Sequence, residues 1–170
     1  MIKRASLLII VVFFLSCDHG LAPPSGVERN AVTGLGGTLY FEKGTWPPVD
    51  SLFDLWVFAS QIYPLDSTKV FQGLLSDPPT IYLYPAFDKD LPFFVDSVSY
   101  SFELPAATYK YVGVIQKIAS ELSVRSLKVV GMYGTNQTPP VPIEVVVKAG
   151  ELTSGITFRV NFRKPPPQPF

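Results

Sequence analysis

Residues 156–163 read ITFRVNFR, an unbroken alternation of apolar and polar residues. Successive side chains on a strand point to opposite faces, so this alternation predicts a strand with one face on a core. Residues 97–104 (SVSYSFEL) follow the same rule and place Tyr100, Phe102 and Leu104 together with Val98 on one face. Both segments predict a sheet that has one buried side and one solvated side.

Other parts of the chain extend the same prediction. Further candidate strands lie at residues 37–42, 52–60, 81–84, 109–115, 124–132 and 141–148. In the segment 109–115, Val112 and Val114 face opposite to Tyr109, Tyr111 and Ile115. Helix evidence is thin, and only residues 116–122 (QKIASEL) could make two turns. Recurrent prolines punctuate short strands and exclude long helices. The pattern predicts an all-β fold, a single antiparallel β-sandwich of seven to eight strands over residues 35–163.

The composition narrows the functional classes. The chain has 170 residues with equal numbers of acidic and basic side chains, 14% aromatic residues and 16% charged residues. It lacks the basic excess of a nucleic-acid binder and is too apolar for a disordered polyelectrolyte. The one Cys and the one His exclude a disulfide framework and a Cys-rich zinc site, and we expect no cofactor. His19 is expected to be a solvated residue of a mobile segment.

The N-terminus has the layout of a secretory signal. Lys3 and Arg4 precede about ten apolar residues, which is too short a run to span a membrane. The segment from Phe14 to Cys17 (FLSC) resembles the lipobox of bacterial lipoproteins. The resemblance implies removal of residues 1–16 and a diacylglycerol on the sulfur of Cys17. The alternative is a secretory signal with an incidental Cys near its end.

The two ends of the mature chain are expected to lie outside the sandwich. Removal of the signal peptide leaves 12 basic and 14 acidic residues, so the lipid and not protein charge would hold the chain at a membrane. Residues 17–34 are predicted to be a lipid-anchored tether. The proline-rich tail at residues 164–170 (KPPPQPF) is expected to be frayed polyproline II chain, with recognition by an aromatic groove as the alternative.

Several segments resemble transthyretin-like domains, which include the carboxypeptidase regulatory-like domains of bacterial envelope proteins. Residues 36–41 (GGTLYF) resemble their opening strand, and residues 104–112 (LPAATYKYV) their recurrent turn and central strand, with Ala107 in place of the usual Gly. Residues 141–158 resemble their closing hairpin. The resemblance implies a structural or binding module without catalytic residues. Members of the family serve as folding aids, adhesive modules, and appendages that bind starch or protein.

Candidate sites are few. Asp88 and Asp90, with help from Asp77 and Asp96, could bind Ca²⁺, but the segment is interpreted as a solvated loop. Residues 34–37 (GLGG) are interpreted as a hinge into the first strand, because a phosphate loop would precede a helix. Four aromatic residues could form an exposed binding surface or could pack internally. They are Trp46, Tyr63, Tyr82 and Tyr84, which Tyr133 could join.

These observations predict a non-enzymatic, lipid-anchored protein of the bacterial cell envelope. Its domain would lie in the periplasm or at the cell surface, with the outer membrane favoured over the inner. The sandwich would bind an envelope protein or serve a structural role. The alternative is a carbohydrate-binding module that uses the exposed aromatic residues, including Trp46.

Overall fold

The computed structural model of the protein describes residues 32–170. The predicted signal peptide (1–16), Cys17, His19 and the tether as far as residue 31 lie outside the described residues. Within residues 32–170, no helix is long and apolar enough to cross a membrane. The backbone oxygen of Thr33 accepts a hydrogen bond from the amide of Leu104 at 3.0 Å, and the first strand begins at Gly34. The chain is therefore held by the folded domain from Thr33 onward.

The described part of the chain forms ten strands and one α-helix. In chain order these are β1 (Gly34–Phe41), β2 (Asp54–Ser60), α1 (Ser67–Leu75), β3 (Ile81–Tyr84), β4 (Ser97–Glu103), β5 (Ala107–Tyr109), β6 (Tyr111–Lys117), β7 (Leu127–Met132), β8 (Val145–Val147), β9 (Leu152–Thr153) and β10 (Phe158–Val160). Two short 3₁₀ turns lie at Val49–Ser51 and Val124–Ser126. The predicted β-rich class is confirmed.

The strands form a mixed sheet, so the prediction of a purely antiparallel arrangement is wrong. The hydrogen-bonded order is β3-β2-β6-β7-β10-β1-β4, and β9 also pairs with β1. β1 runs parallel to both β10 and β9, and the other neighbours are antiparallel. The segment 34–37 is part of β1 and not a hinge. A side chain at Gly37 would overlap the carbonyl group of Ile156, so glycine allows the chain to approach closely there.

The sheet curls until its first and last strands face each other across the core. Tyr84 of β3 packs against Phe102 of β4 with ring centroids 5.5 Å apart, and against Tyr100 of β4 at 6.5 Å. The hydroxyl of Tyr100 donates to the backbone oxygen of Ile156 at 2.7 Å, so this buried polar group is satisfied. Aromatic side chains therefore bridge the interior between the two outermost strands.

The inner face of the sheet carries the main core, as the alternating segments predict. Alternate side chains of the segments 97–104 and 156–163 are buried there, including Phe102, Leu104, Phe158 and Val160. Val112 and Val114 of β6 also face this core, whereas Tyr111 and Ile115 face the opposite side. Tyr109 departs from the prediction and lies in the main core, because the strand pattern breaks at Lys110 between β5 and β6.

The expected closing hairpin does not form. The turn predicted at residues 148–151 is present, but β8 before it pairs with β5 in a separate two-stranded sheet. β10 instead joins the main sheet between β7 and β1. The strands on either side of the turn thus belong to two different sheets.

The α-helix lies where the sequence analysis predicted no helix. The carboxylate of Asp66 caps α1 by accepting from the amides of Thr68 and Lys69 at 3.0 and 2.9 Å. A side chain at Gly73 would meet Ile81 at 2.7 Å, so glycine lets α1 lie closely on β3. The prediction of two helical turns at residues 116–122 is wrong. Gln116 is a buried residue of β6, and its side-chain amide donates to the backbone oxygen of Ser51 at 2.8 Å.

The proline-rich tail is packed on the domain and is not frayed. β10 pairs with β7 at Val160 and Gly131, and the Gln168 side chain occupies the edge of β7 beyond that pair. Its amide oxygen accepts from the Val129 amide at 2.8 Å, and its nitrogen donates to the Val129 oxygen at 2.9 Å. Phe170 packs against the apolar cluster on the outer face. A side chain thereby takes the place of a neighbouring strand.

We expect Gln168→Ala to lower the free energy of unfolding by about 1–2 kcal/mol, because it leaves both buried backbone groups of Val129 without partners. Chemical denaturation of the variant and the parent protein measures this difference. Gln137→Ala is the matched control, since Gln137 is exposed and makes no hydrogen bond within residues 32–170. Equal stability of the Gln168 and Gln137 variants would show that the tail does not hold this edge.

Candidate functional site

Trp46 is part of an aromatic cluster at the margin of the main core. Its ring lies 4.7 Å from the ring of Phe41, 4.6 Å from that of Phe162 and 5.2 Å from that of Phe94. The residue is half-buried and packs against the main core. Offset and tilted ring contacts of this kind stabilise packing. The geometry therefore favours a packing role for Trp46.

The three predicted tyrosines do not share one surface with Trp46. Tyr82 and Tyr84 are alternate residues of β3 and both pack against the main core, Tyr82 on the ring of Tyr109 and Tyr84 on that of Phe102. Tyr63 is 43% exposed and contacts Tyr111, which belongs to the apolar cluster on the outer face of the sheet. The proposed fifth member, Tyr133, packs at the core beside Phe158.

The interior tyrosines are held in their neutral form. Burial raises the pKa of Tyr109 to about 12, and it raises the pKa of Tyr100 and of Tyr111 as well. The hydroxyl of Tyr109 donates to the backbone oxygen of Pro105 at 2.9 Å. The hydroxyls of Tyr100 and Tyr109 thus make structural hydrogen bonds, and all three phenols stay protonated at neutral pH.

The acidic loop predicted as solvated is attached to the sheet. The carboxylate of Asp90 accepts from the Leu55 amide at 3.1 Å, and the backbone oxygen of Lys89 accepts from the Trp56 indole at 2.8 Å. Partial loss of water at the Asp90 carboxylate raises its pKa. Asp96 lies apart and pairs with Lys43 at 3.6 Å. Within residues 32–170, no group of three His, Cys, Asp or Glu side chains could hold a metal ion.

An apolar groove lies between α1 and the edge strand β3. We call it the α1–β3 groove, and its volume is about 520 Å³. Its nine lining side chains are all apolar or aromatic: Phe71, Leu74, Leu75, Pro79, Ile81, Tyr82, Leu83, Phe87 and Leu122.

The groove follows the edge of β3 on both sides of the sheet. Ile81 and Leu83 face the outer cluster, whereas Tyr82 faces the main core. Leu75 is 81% exposed and Phe87 is 54% exposed. Large apolar side chains exposed together are uncommon on soluble domains and mark interaction sites.

A second groove, with mixed polar and apolar lining, lies over β7, β10 and the proline-rich tail. We call it the cationic groove, and its volume is about 1050 Å³. Three exposed cations line it, namely Arg159, Arg163 and Lys164. Threonine and asparagine side chains, Glu42 and Tyr133 contribute further polar groups, and apolar residues that include Met132, Pro140 and the three consecutive prolines of the tail complete the lining. The alternation of residues 156–163 placed Arg159 and Arg163 on a polar face, and the bend before the tail brings them together with Lys164.

Of the residues that line the α1–β3 groove, the sequence pointed only to Tyr82. The available signal was the cluster Val70, Phe71, Leu74 and Leu75 behind the capping residue Asp66, which is typical of a short amphipathic helix. The helix has only nine residues, so this periodicity is brief. Phe87 and Leu122 come from distant loops, and no local pattern relates them to the helix.

Comparison of the chain with protein-family models, with curated proteins and with solved structures finds no match.

We expect Trp46→Ala to lower the free energy of unfolding by about 2–4 kcal/mol, because it removes three ring contacts and leaves a void beside the core. Thermal or chemical denaturation measures the change. Tyr63→Ala is the comparison, and it should cost less because Tyr63 is more exposed and has one ring partner. A Trp46 variant as stable as the parent protein would contradict the packing role and favour a binding role.

Proposed function

We propose that this chain is a non-catalytic, lipid-anchored binding module of a bacterial cell envelope. Its binding surface is the α1–β3 groove, and its partner is an envelope protein that inserts an extended apolar segment. The exposure of Leu75 and Phe87 in a groove lined by apolar side chains is the observation that carries the binding function.

The lipid anchor is supported by the sequence around Cys17. A basic start, a short apolar run and Ser16 immediately before the cysteine form the context in which bacterial lipoproteins are processed. Several acyl chains together hold a protein at a membrane, whereas a single chain binds reversibly. The 15 residues between Cys17 and Thr33 could span at most about 50–60 Å when fully extended. This length would allow the domain to lie away from the membrane surface. The outer membrane is the favoured location of the anchor.

An extended peptide suits the α1–β3 groove for two reasons. β3 is the outermost strand of the sheet, and the backbone of an outermost strand can pair with an added strand. The apolar side chains of Ile81, Tyr82 and Leu83 surround this edge and could receive alternate side chains of that added strand. β3 has only four residues, which limits uncontrolled pairing with other chains.

We also propose that the domain is a divergent relative of the transthyretin-like β-sandwich modules. Its support is the segment 104–112, where the Tyr109 hydroxyl donates to the backbone four residues upstream, at Pro105. Sandwich domains with Greek-key connections use such a tyrosine corner to hold a crossing between sheets. The mixed sheet and the missing closing hairpin mark where this chain departs from the family pattern.

The alternative of a carbohydrate-binding module based on the four aromatic residues has less support. Trp46, Tyr82 and Tyr84 pack against the main core, and Tyr63 lies with the outer cluster. A sugar-stacking platform needs ring faces that are open together. Neutral glycan binding by this set is therefore the second choice.

Metabolic labelling with a fatty-acid probe tests the anchor. We expect the full-length protein to be labelled in bacterial cells and Cys17→Ala to remain unlabelled, because Cys17 supplies the only thiol of the chain. Ser25→Ala, a change within the predicted tether, is the control and should be labelled as the parent protein is. An unlabelled parent protein would refute the anchor without affecting the binding function of the domain.

Site-specific photo-crosslinking in cells tests the α1–β3 groove. We expect a crosslinker at Leu75 or Phe87 to give an adduct with one envelope protein, and Leu122→Asp in the same chain to abolish it. The matched control is a crosslinker at Val49, which is 74% exposed and lies outside the groove. Adducts from Val49 that equal those from Leu75, or no adduct from either groove position, would contradict the proposal.

A further inference from the structure

The cationic groove carries an excess of positive charge. Arg159, Arg163 and Lys164 line it, and none of them forms an ion pair within residues 32–170. The acidic side chain in the groove is Glu42, and its carboxylate is bonded to the side-chain amide of Asn161 at 2.6 Å. The three cations are therefore available to an anionic ligand.

The backbone that carries these cations is restrained. The side-chain oxygen of Asn161 accepts from the amides of Arg163 and Lys164 at 3.0 and 2.8 Å, which fixes the bend that follows β10. Three consecutive prolines follow Lys164 and restrict the backbone. Gln168 then attaches the tail to β7. A preorganised segment loses less conformational entropy when a ligand binds.

The other groups in the groove define the rest of the ligand. Thr45, Thr135 and Thr138 supply hydroxyls, and Asn136 supplies an amide, all of which can bond to neutral hydroxyl groups. The Cα atoms of Arg159 and Arg163 are at most about 14 Å apart, the limit set by four residues of extended chain. The groove therefore offers three cations, neutral hydrogen-bonding groups and apolar surface, within a volume of about 1050 Å³.

We propose that the cationic groove binds an acidic polysaccharide whose sugar units carry carboxylates. Arg159 and Arg163 pair with the carboxylates, because a guanidinium matches a carboxylate in a two-bond geometry. The threonine and asparagine side chains bond to the sugar hydroxyls. This surface lies apart from the α1–β3 groove, so the inference goes beyond the proposed function and depends neither on that groove nor on the lipid anchor.

A nucleic acid or a lipid surface fits the groove less well. The chain has no overall basic excess, and single-stranded nucleic acids need open aromatic faces on which bases stack. Lipid headgroups would bring acyl chains, and the exposed Leu75 and Phe87 side chains that could receive them lie in the α1–β3 groove. Carboxylate-bearing sugars match both the charge and the hydroxyl groups.

Calorimetric titration of the full-length, detergent-solubilised protein with alginate oligosaccharides, which are uronic-acid polymers, tests this inference. We expect saturable binding at low salt that weakens as salt is added. Arg159→Gln combined with Arg163→Gln should weaken binding at least about tenfold, which corresponds to the loss of charged hydrogen bonds. Arg159→Lys combined with Arg163→Lys keeps the positive charge but loses the two-bond geometry of the guanidinium. This pair should therefore weaken binding by less than the glutamine pair.

The controls separate this site from general electrostatic attraction. Lys110→Gln removes an exposed cation outside the groove and should leave affinity unchanged. Neutral dextran oligosaccharides of equal length should not bind. The inference is overturned if alginate does not bind, if the arginine-to-glutamine pair binds as tightly as the parent protein, or if polyphosphate binds as tightly as alginate. Unfolding curves check that each variant is folded. We expect every variant to fold, because both arginines are exposed.

Discussion

The contact between Tyr84 and Phe102 across the core is the interaction on which the rest of the structure depends. These residues belong to the first and last strands of a seven-strand order, and no hydrogen-bonded ladder joins those strands in the described part of the chain. Side-chain packing must therefore hold the sheet in its curled form. The curled sheet encloses one core on its inner face. Its curvature decides which side chains lie in that core and which lie on the outer surface.

The outer face of the curled sheet is divided into two chemically different parts. Over β3, β2 and β6 it is apolar, because Trp56, Phe58 and Tyr111 point outward there, and α1 covers part of it. The uncovered margin is the α1–β3 groove. Toward β10 and β1 the outward residues include Arg159, Thr38 and the exposed Tyr40, and the tail bounds the cationic groove. The groove for which we propose a protein partner and the groove for which we propose an anionic ligand therefore lie on separate parts of one domain.

The sequence predicted the strands well where one face is solvated. In residues 97–104 and 156–163 the alternation identified both the strand and its buried face. The sequence also predicted β2, β6 and β7, which are buried on both faces, and the prediction failed where local periodicity is short. Gln116 has polar character but is buried in β6, which produced a false helix, and the nine residues of α1 were too few to reveal a true one. The sequence identified four aromatic residues as a candidate binding surface but did not reveal how far each is buried. Their burial depends on packing partners such as Phe162 and Tyr109, which are remote in sequence.

The sequence by itself determined the β-rich class, the buried faces of the solvated strands and the presence of a lipoprotein-like cysteine motif. These properties are local, since period-two alternation and a short motif are contained in neighbouring residues. Only the tertiary structure decided the parallel pairing of β1 with β10, the attachment of the tail through Gln168, and the gathering of Leu75, Phe87 and Leu122 into one groove. Each of these features joins segments that lie far apart in the chain. The curvature of the sheet and the close packing of its core select which distant segments meet, and no local sequence pattern encodes them.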